Sequence, residues 1–96
     1  DLRNSRVIDV VNEFTGLGML VDVFDPWADL EQAKSAYNIT LTDQPENNAY
    51  DAIVLTVAHE AFKTLGASEI RKWGKGTHVL FDTKGALPGH AVDGRL

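Results

Sequence analysis

The chain has 96 residues, the size of one small domain, and its 44% hydrophobic and 24% charged content excludes a disordered tail, a collagen-like fibre and a polar linker. Nine Lys and Arg against 14 Asp and Glu leave a net charge of −5. That balance argues against nucleic-acid binding, although an anionic small molecule answers to local charge at one site. With no cysteine, the chain supplies no disulfide, no thiolate metal ligand and no cysteine nucleophile. No apolar run approaches the roughly 20 residues that span a bilayer. Residues 1–6 lack the basic start and apolar stretch of a signal peptide.

The chain opens without Met on a charged, turn-like hexapeptide, which predicts that it begins inside a longer protein. Val7, Ile8, Val11, Phe14 and Leu17 recur at helical spacing, with Asn4 or Ser5 as N-cap and Gly16 or Gly18 as the stop. Residues 20–24 read as a strand stopped by Asp25-Pro26, and residues 29–37 as a short helix with an acidic first turn. Residues 39–41 read as a brief edge strand and 43–48 as a polar loop. Residues 51–57 form the most apolar run, suited to a central parallel strand covered on both faces. Residues 59–65 and 68–73 read as one or two short helices, closed by Gly74-Lys75-Gly76. Residues 78–82 give a last strand, followed by a loose tail. Strands alternating with helices predict a single α/β domain over residues 1–96, a three-layer, doubly wound, mostly parallel sheet of Rossmann-like kind. Such sheets usually open on a strand. Here the chain opens on a helix, so the first strand is expected to be truncated, ending near the opening hexapeptide.

Ligands of open α/β sheets sit beyond the carboxyl ends of the strands. That rule selects Asp25-Pro26-Trp27, Ala58-His59-Glu60 and Asp82-Thr83-Lys84-Gly85, together with residues 1–5. Lys84 followed by Gly85 can present a cation beside open backbone N–H groups, a cradle for a phosphate. The competing reading is a solvated turn lysine. Arg3 lies just before a helix, where an arginine and backbone N–H groups can converge on an anion, or it is a frayed terminal residue. His59 suits a packing or capping role, with acid–base chemistry as the rival reading. The three histidines, His59, His78 and His90, are not at ligand spacing, and Asp22, Asp25 and Asp29 match no calcium loop, so no metal site is expected. Trp27 and Trp73 cover the edge of a small core or stack on a base. No Gly-x-Gly-x-x-Gly, Walker lysine or Gly-x-Ser-x-Gly occurs. The residues alone give an α/β domain with a candidate anion site.

Taken in series, several segments carry a resemblance. They are Asp1-Leu2-Arg3-Asn4-Ser5-Arg6-Val7, Val23-Phe24-Asp25-Pro26-Trp27-Ala28-Asp29, residues 50–62 with Ala58-His59-Glu60-Ala61-Phe62, Phe81-Asp82-Thr83-Lys84-Gly85-Ala86-Leu87-Pro88 and Asp93-Gly94-Arg95-Leu96. In this order they resemble the C-terminal, UDP-sugar-binding domain of the UDP-glucose/GDP-mannose dehydrogenase family. Asp-Pro-Trp, Ala-His-x-x-Phe and Asp-x-Lys-Gly look most like the branch acting on UDP-N-acetylhexosamines, of the GlcNAc or GalNAc type. The UDP-glucose branch more often has arginine at the place of Lys84 and tryptophan near His59.

The resemblance implies a two-step oxidation of the sugar C6 alcohol to a carboxylate, using two NAD and one water, through a thioester on a cysteine. NAD would bind an N-terminal Rossmann domain, and a central helical region would hold the cysteine and form a homodimer. Both regions would lie outside this chain. Arg3 falls on a family arginine that reaches the cofactor, and Lys84 on a basic position that contacts the nucleotide of the UDP-sugar. Gly85 would let the backbone approach, and Asp1 would be structural. The resemblance further implies a cytoplasmic enzyme of bacterial capsule or O-antigen synthesis, bound to neither membrane nor nucleic acid. The fragment alone would be inactive.

Two other classes compete. A receiver-type phosphoacceptor domain also places an aspartate and a lysine at strand ends, as Asp25 and Lys84 do, but the acidic pair that would hold magnesium is missing and Asp25 precedes Pro-Trp. A stand-alone, non-catalytic nucleotide-binding or interaction module would borrow only the fold.

Overall fold

The computed structural model describes residues 5–26 and 41–96. The chain divides into two compact units, Asp1–Gln44 and Pro45–Leu96.

In the first unit, helix α1 (Ser5–Gly16) follows the apolar spacing of the sequence. Val7 is buried, Ile8, Val11 and Phe14 are half-buried, and Asp9, Asn12 and Glu13 face solvent. The helix ends in a left-handed glycine cap. Gly18 takes φ +86°, its N–H donates to Thr15 O at 3.0 Å, and the Met19 N–H reaches back to Phe14 O at 3.1 Å. This pair of bonds satisfies carbonyls that the helix would otherwise leave open. Leu17, expected on the apolar face, lies within this cap and is 72% exposed. Among the described residues the expected strand over 20–24 is one parallel bridge, Val23 with Leu41, in which the Thr42 N–H donates to Val23 O at 2.8 Å. Leu20 is fully exposed, whereas Val21, Val23 and Phe24 are half-buried. Leu41 at the end of the expected 39–41 strand supplies the bridge. The expected helix over 29–37 lies outside the described residues.

The second unit holds a parallel sheet. Strands β1 (Tyr50–Leu55), β2 (Gly74–Asp82) and β3 (Gly94–Arg95) lie in the order β1-β2-β3. Helix α2 (Glu60–Arg71) connects the first two and packs against β2. The chain is thus α/β with parallel strands and two described helices, as its alternating pattern predicts. Among the described strands β2, not β1, takes the middle place, and Asp51 and Ala52 of β1 are exposed. The strand expected at 51–57 is β1, which is an outer strand among those described, half-buried at Ile53 and Val54 and buried at Leu55. Ile70 and Leu80 are fully buried and centre a core with Leu55, Phe62, Trp73, Ala86 and Leu87.

Three sequence details shape this unit. Gly66 (φ 82°, ψ 162°) breaks the helical path inside α2, so the one or two helices expected here are two helical segments that meet at a kink. The β1–β2 register slips between Tyr50 and Ala52, and the regular ladder runs from Ala52–Val79 to Leu55–Asp82. Gly74-Lys75-Gly76, expected as a helix stop, forms the irregular start of β2. There the His78 ring packs so closely over Gly74 that no Cβ would fit. Asn48 (φ 56°) turns the chain into β1, and its N–H caps α2 by donating to Lys72 O at 2.9 Å.

The tail is held, contrary to the expectation of a loose one. After a 3-10 turn at Gly89–Ala91, the Asp93 N–H donates to Leu80 O at 2.8 Å, and Asp93 Oδ2 accepts the Leu80 N–H at 2.8 Å. Arg71, the last residue of α2, reaches across to donate to Asp93 Oδ2 and to Ala91 O, both at 3.1 Å. His78 completes this knot. Its Nδ1 donates to Lys75 O at 2.6 Å, which leaves Nε2 to accept from Arg71 at 3.1 Å. The Arg71 hydrogen bond, with the Leu80 N–H behind it, holds the Asp93 carboxyl below its ordinary pKa.

Candidate functional site

Because the strands run parallel, the loops after β1 and β2 and the end of β3 emerge on one edge of the second unit. Thr83 stitches the first two together: its N–H and its hydroxyl both donate to Leu55 O, at 3.0 and 2.8 Å. Two of the three strand-end segments that the sequence selects, Ala58-His59-Glu60 and Asp82-Thr83-Lys84-Gly85, therefore share this edge.

His59 caps α2. Its Nδ1 accepts the Ala61 N–H at 2.9 Å, and its ring meets Phe62 edge to face at 5.7 Å. This is the packing and capping role that its position suggests. Trp73, likewise, is a buried member of the core.

Asp82 organises the next loop. Its side chain is 1% exposed, and both oxygens are taken up by backbone donors of the residues that follow. Oδ1 accepts from the Lys84 N–H at 3.1 Å and the Gly85 N–H at 3.0 Å, and Oδ2 from the Leu87 N–H at 2.9 Å. Burial alone would raise the Asp82 pKa. The N–H groups of Leu87, Lys84, Ala86 and Gly85 together outweigh it and hold the carboxyl below its ordinary value. Gly85 takes φ +71°, the left-handed conformation that lets these N–H groups converge on one carboxylate.

The phosphate cradle expected at Lys84-Gly85 is thereby corrected. Its backbone N–H groups are real and convergent, but the chain's own carboxylate fills them. Positive charge at this edge comes from side chains. Lys84 is exposed, and Arg95, paired with Asp82 across the β2–β3 ladder, folds its guanidinium back over the same loop. A Cβ on Gly85 would stand 3.4 Å from Arg95 Nη2, and one on Gly89 would stand 2.6 Å from Nη1. The four other basic side chains of this unit, Lys63, Arg71, Lys72 and Lys75, are ion-paired with Glu60, Asp93, Glu69 and Asp51. Among the described residues, neither Lys84 nor Arg95 has such a carboxylate partner.

Arg3, Asp1 and Trp27 lie outside the described residues, and Asp25 belongs to the first unit. Among the described residues no group of three His, Asp or Glu side chains comes together to hold a metal ion, and no helix is long and apolar enough to cross a membrane. Nor do these residues fit a dinucleotide. They carry no glycine-rich fingerprint, and the one convergent set of N–H groups is already occupied by Asp82.

Sequence reasoning passed over Asp82 as an organiser and Arg95 as part of the edge. An aspartate two and three residues before Lys84 and Gly85 carries a weak turn signal that could have pointed to the first. Nothing local announces the second, because its placement depends on a strand of two residues.

These features define an α/β domain of Rossmann-like kind with a basic loop at the carboxyl edge of its parallel strands. The family model described as "UDP-glucose/GDP-mannose dehydrogenase family, UDP binding domain" matches residues 1–89, and the chain belongs to that family. It is 49% identical over 96 residues to a UDP-N-acetyl-D-glucosamine 6-dehydrogenase of Pseudomonas aeruginosa, covering 100% of this chain and 23% of the relative. A UDP-N-acetyl-D-glucosamine 6-dehydrogenase of Salmonella typhi is 44% identical, with the same coverage. Protein CapL of Staphylococcus aureus is 30% identical over 87 residues, 91% of this chain and 20% of the relative. The chain thus spans about a quarter of the length of the curated relatives it matches. No solved structure shows a significant match to it.

Proposed function

We propose that residues 1–96 form the C-terminal, UDP-sugar-binding domain of an NAD-dependent nucleotide-sugar 6-dehydrogenase, with a UDP-N-acetylhexosamine as substrate. The observation that carries this reading is the Lys84-Gly85 loop at the carboxyl edge of the parallel strands, in a chain 49% identical to a UDP-N-acetyl-D-glucosamine dehydrogenase. In the proposed reaction the C6 alcohol, one water and two NAD⁺ give the C6 carboxylate, two NADH and three protons. NAD is the hydride acceptor. The cysteine and the dinucleotide-binding region belong to parts of the enzyme outside this chain, as does the homodimer contact, and Arg3 is the residue of this chain assigned to the cofactor. The product would feed bacterial surface polysaccharide synthesis in the cytoplasm.

The role of this domain is binding. The Lys84 ammonium meets the nucleotide part of the substrate, and Gly85, without a side chain, leaves room for close approach. A contact made equally in the ground and transition states raises KM when lost and leaves kcat nearly intact. Full-length enzyme should therefore release two NADH per UDP-N-acetyl-D-glucosamine oxidised, and Lys84→Ala should raise the KM for the sugar nucleotide by about tenfold. No NADH with any UDP-hexose would refute the activity. An unchanged KM would remove Lys84 from the site.

A further inference from the structure

We infer that Arg95 is a second substrate-binding cation, which works with Lys84 on the diphosphate of the sugar nucleotide. The inference deepens the proposed function and rests on its placement of the nucleotide at the Lys84 loop.

The first observation is the filled N–H cluster. Loops that bind phosphate through the backbone leave their N–H groups open. Here the Lys84, Gly85 and Leu87 N–H groups are held by Asp82, which also places a negative charge beneath the loop. An incoming dianion must be met by side-chain charge sufficient to overcome that carboxylate as well as its own desolvation. One flexible lysine is a poor answer to that demand.

The second observation is where Arg95 lies. The β2–β3 pairing sets its Cα opposite Asp82, and its guanidinium lies over the α-carbons of Gly85 and Gly89. A side chain at Gly89 would collide with Nη1 unless the arginine moved aside, so two glycines leave the planar group free to lie against the loop. Arg95 is exposed and has no carboxylate partner among the described residues, unlike Arg71, whose fork is spent on Asp93 and Ala91 O. A guanidinium presents paired donors that match two phosphate oxygens at once, whereas an ammonium acts as a point charge.

The third observation is how firmly the base of that side chain is fixed. Gly94 lies under the Phe81 ring, at a distance that excludes a Cβ, and Asp93 is locked to both backbone groups of Leu80. The guanidinium therefore projects from an anchored backbone, although β3 is only two residues long.

The test uses full-length enzyme carrying Arg95→Ala, Arg95→Lys or Lys84→Ala, with KM measured for UDP-N-acetyl-D-glucosamine and for NAD. Inhibition constants for UDP and uridine and the thermal midpoint complete the set. Arg95→Ala should raise the KM for the sugar nucleotide and the inhibition constant for UDP about tenfold. It should leave uridine, the KM for NAD and the thermal midpoint unchanged, and Arg95→Lys should restore part of the loss. If Lys84→Ala weakens the sugar nucleotide and Arg95→Ala does not, Arg95 is no ligand and the inference falls while the proposed site stands. If neither substitution matters, the nucleotide lies elsewhere and both fail. A lowered midpoint with uridine and UDP weakened equally would make Arg95 a structural residue and also overturn the inference.

Discussion

Asp82 is a buried carboxylate with three backbone donors within hydrogen-bond distance, and its removal is felt through the groups it leaves behind. Asp82→Asn keeps an acceptor for Lys84 and Gly85 but turns an amide donor toward the Leu87 N–H, so stability should fall by about 2 kcal/mol in urea unfolding. The pH dependence follows from the direction of its pKa. The folded value lies below the unfolded value of about 3.9, so the stabilisation is fully present above that pH and is lost as pH falls through the folded value. Asp93 shifts in the same direction. The wild-type chain should thus lose stability on the acid side of about pH 4, and Asp82→Asn should lose less over the same interval. An acid limb of equal slope in both proteins would show that Asp82 is not the titrating group.

At the level of elements, the kink in α2 makes a sharp demand on one residue. Gly66 holds φ 82° and ψ 162°, a region essentially closed to residues with a Cβ, yet beyond its own chain neighbours and helix backbone no atom lies within 4 Å of where that Cβ would be. Gly66→Ala should destabilise the chain by about 1 to 3 kcal/mol through backbone strain alone, read as a lower urea midpoint with an unchanged slope. The elements that were legible in the sequence, α1 and α2 among them, are those whose periodicity is long enough to register. Val7, Ile8, Val11 and Phe14 mark one face of α1 over two turns. β3 has two residues and β2 starts in an irregular stretch whose ladder becomes regular only at Val79, so neither start could be read from local pattern. The candidate site was half legible for the same reason. Lys84 and Gly85 stand at a strand end that the sequence announces, whereas Arg95 arrives through a long-range pairing that it does not.

For the whole molecule, the proposed division of labour between this domain and the rest of a dehydrogenase turns on which groups the chain contains. It has a basic loop for an anion but neither a cysteine nor a glycine-rich fingerprint. The 96-residue chain should therefore produce no NADH from UDP-sugar and NAD, and it should bind UDP more weakly than about 1 mM by calorimetry. Two cations do not enclose a nucleotide, and the affinity of an intact site needs walls that this chain does not supply. Micromolar binding by the isolated chain would contradict this account.

The Asp82 carboxylate also acts as an internal template. Loops that recognise phosphate through their N–H groups often take shape only when the anion arrives, and the ordering is then charged against affinity. Here an anion belonging to the chain itself imposes that shape during folding. In the proposed site Lys84 would thus meet its ligand from a backbone already fixed, and binding at this edge would cost the entropy of a few side-chain rotamers and no refolding of the loop.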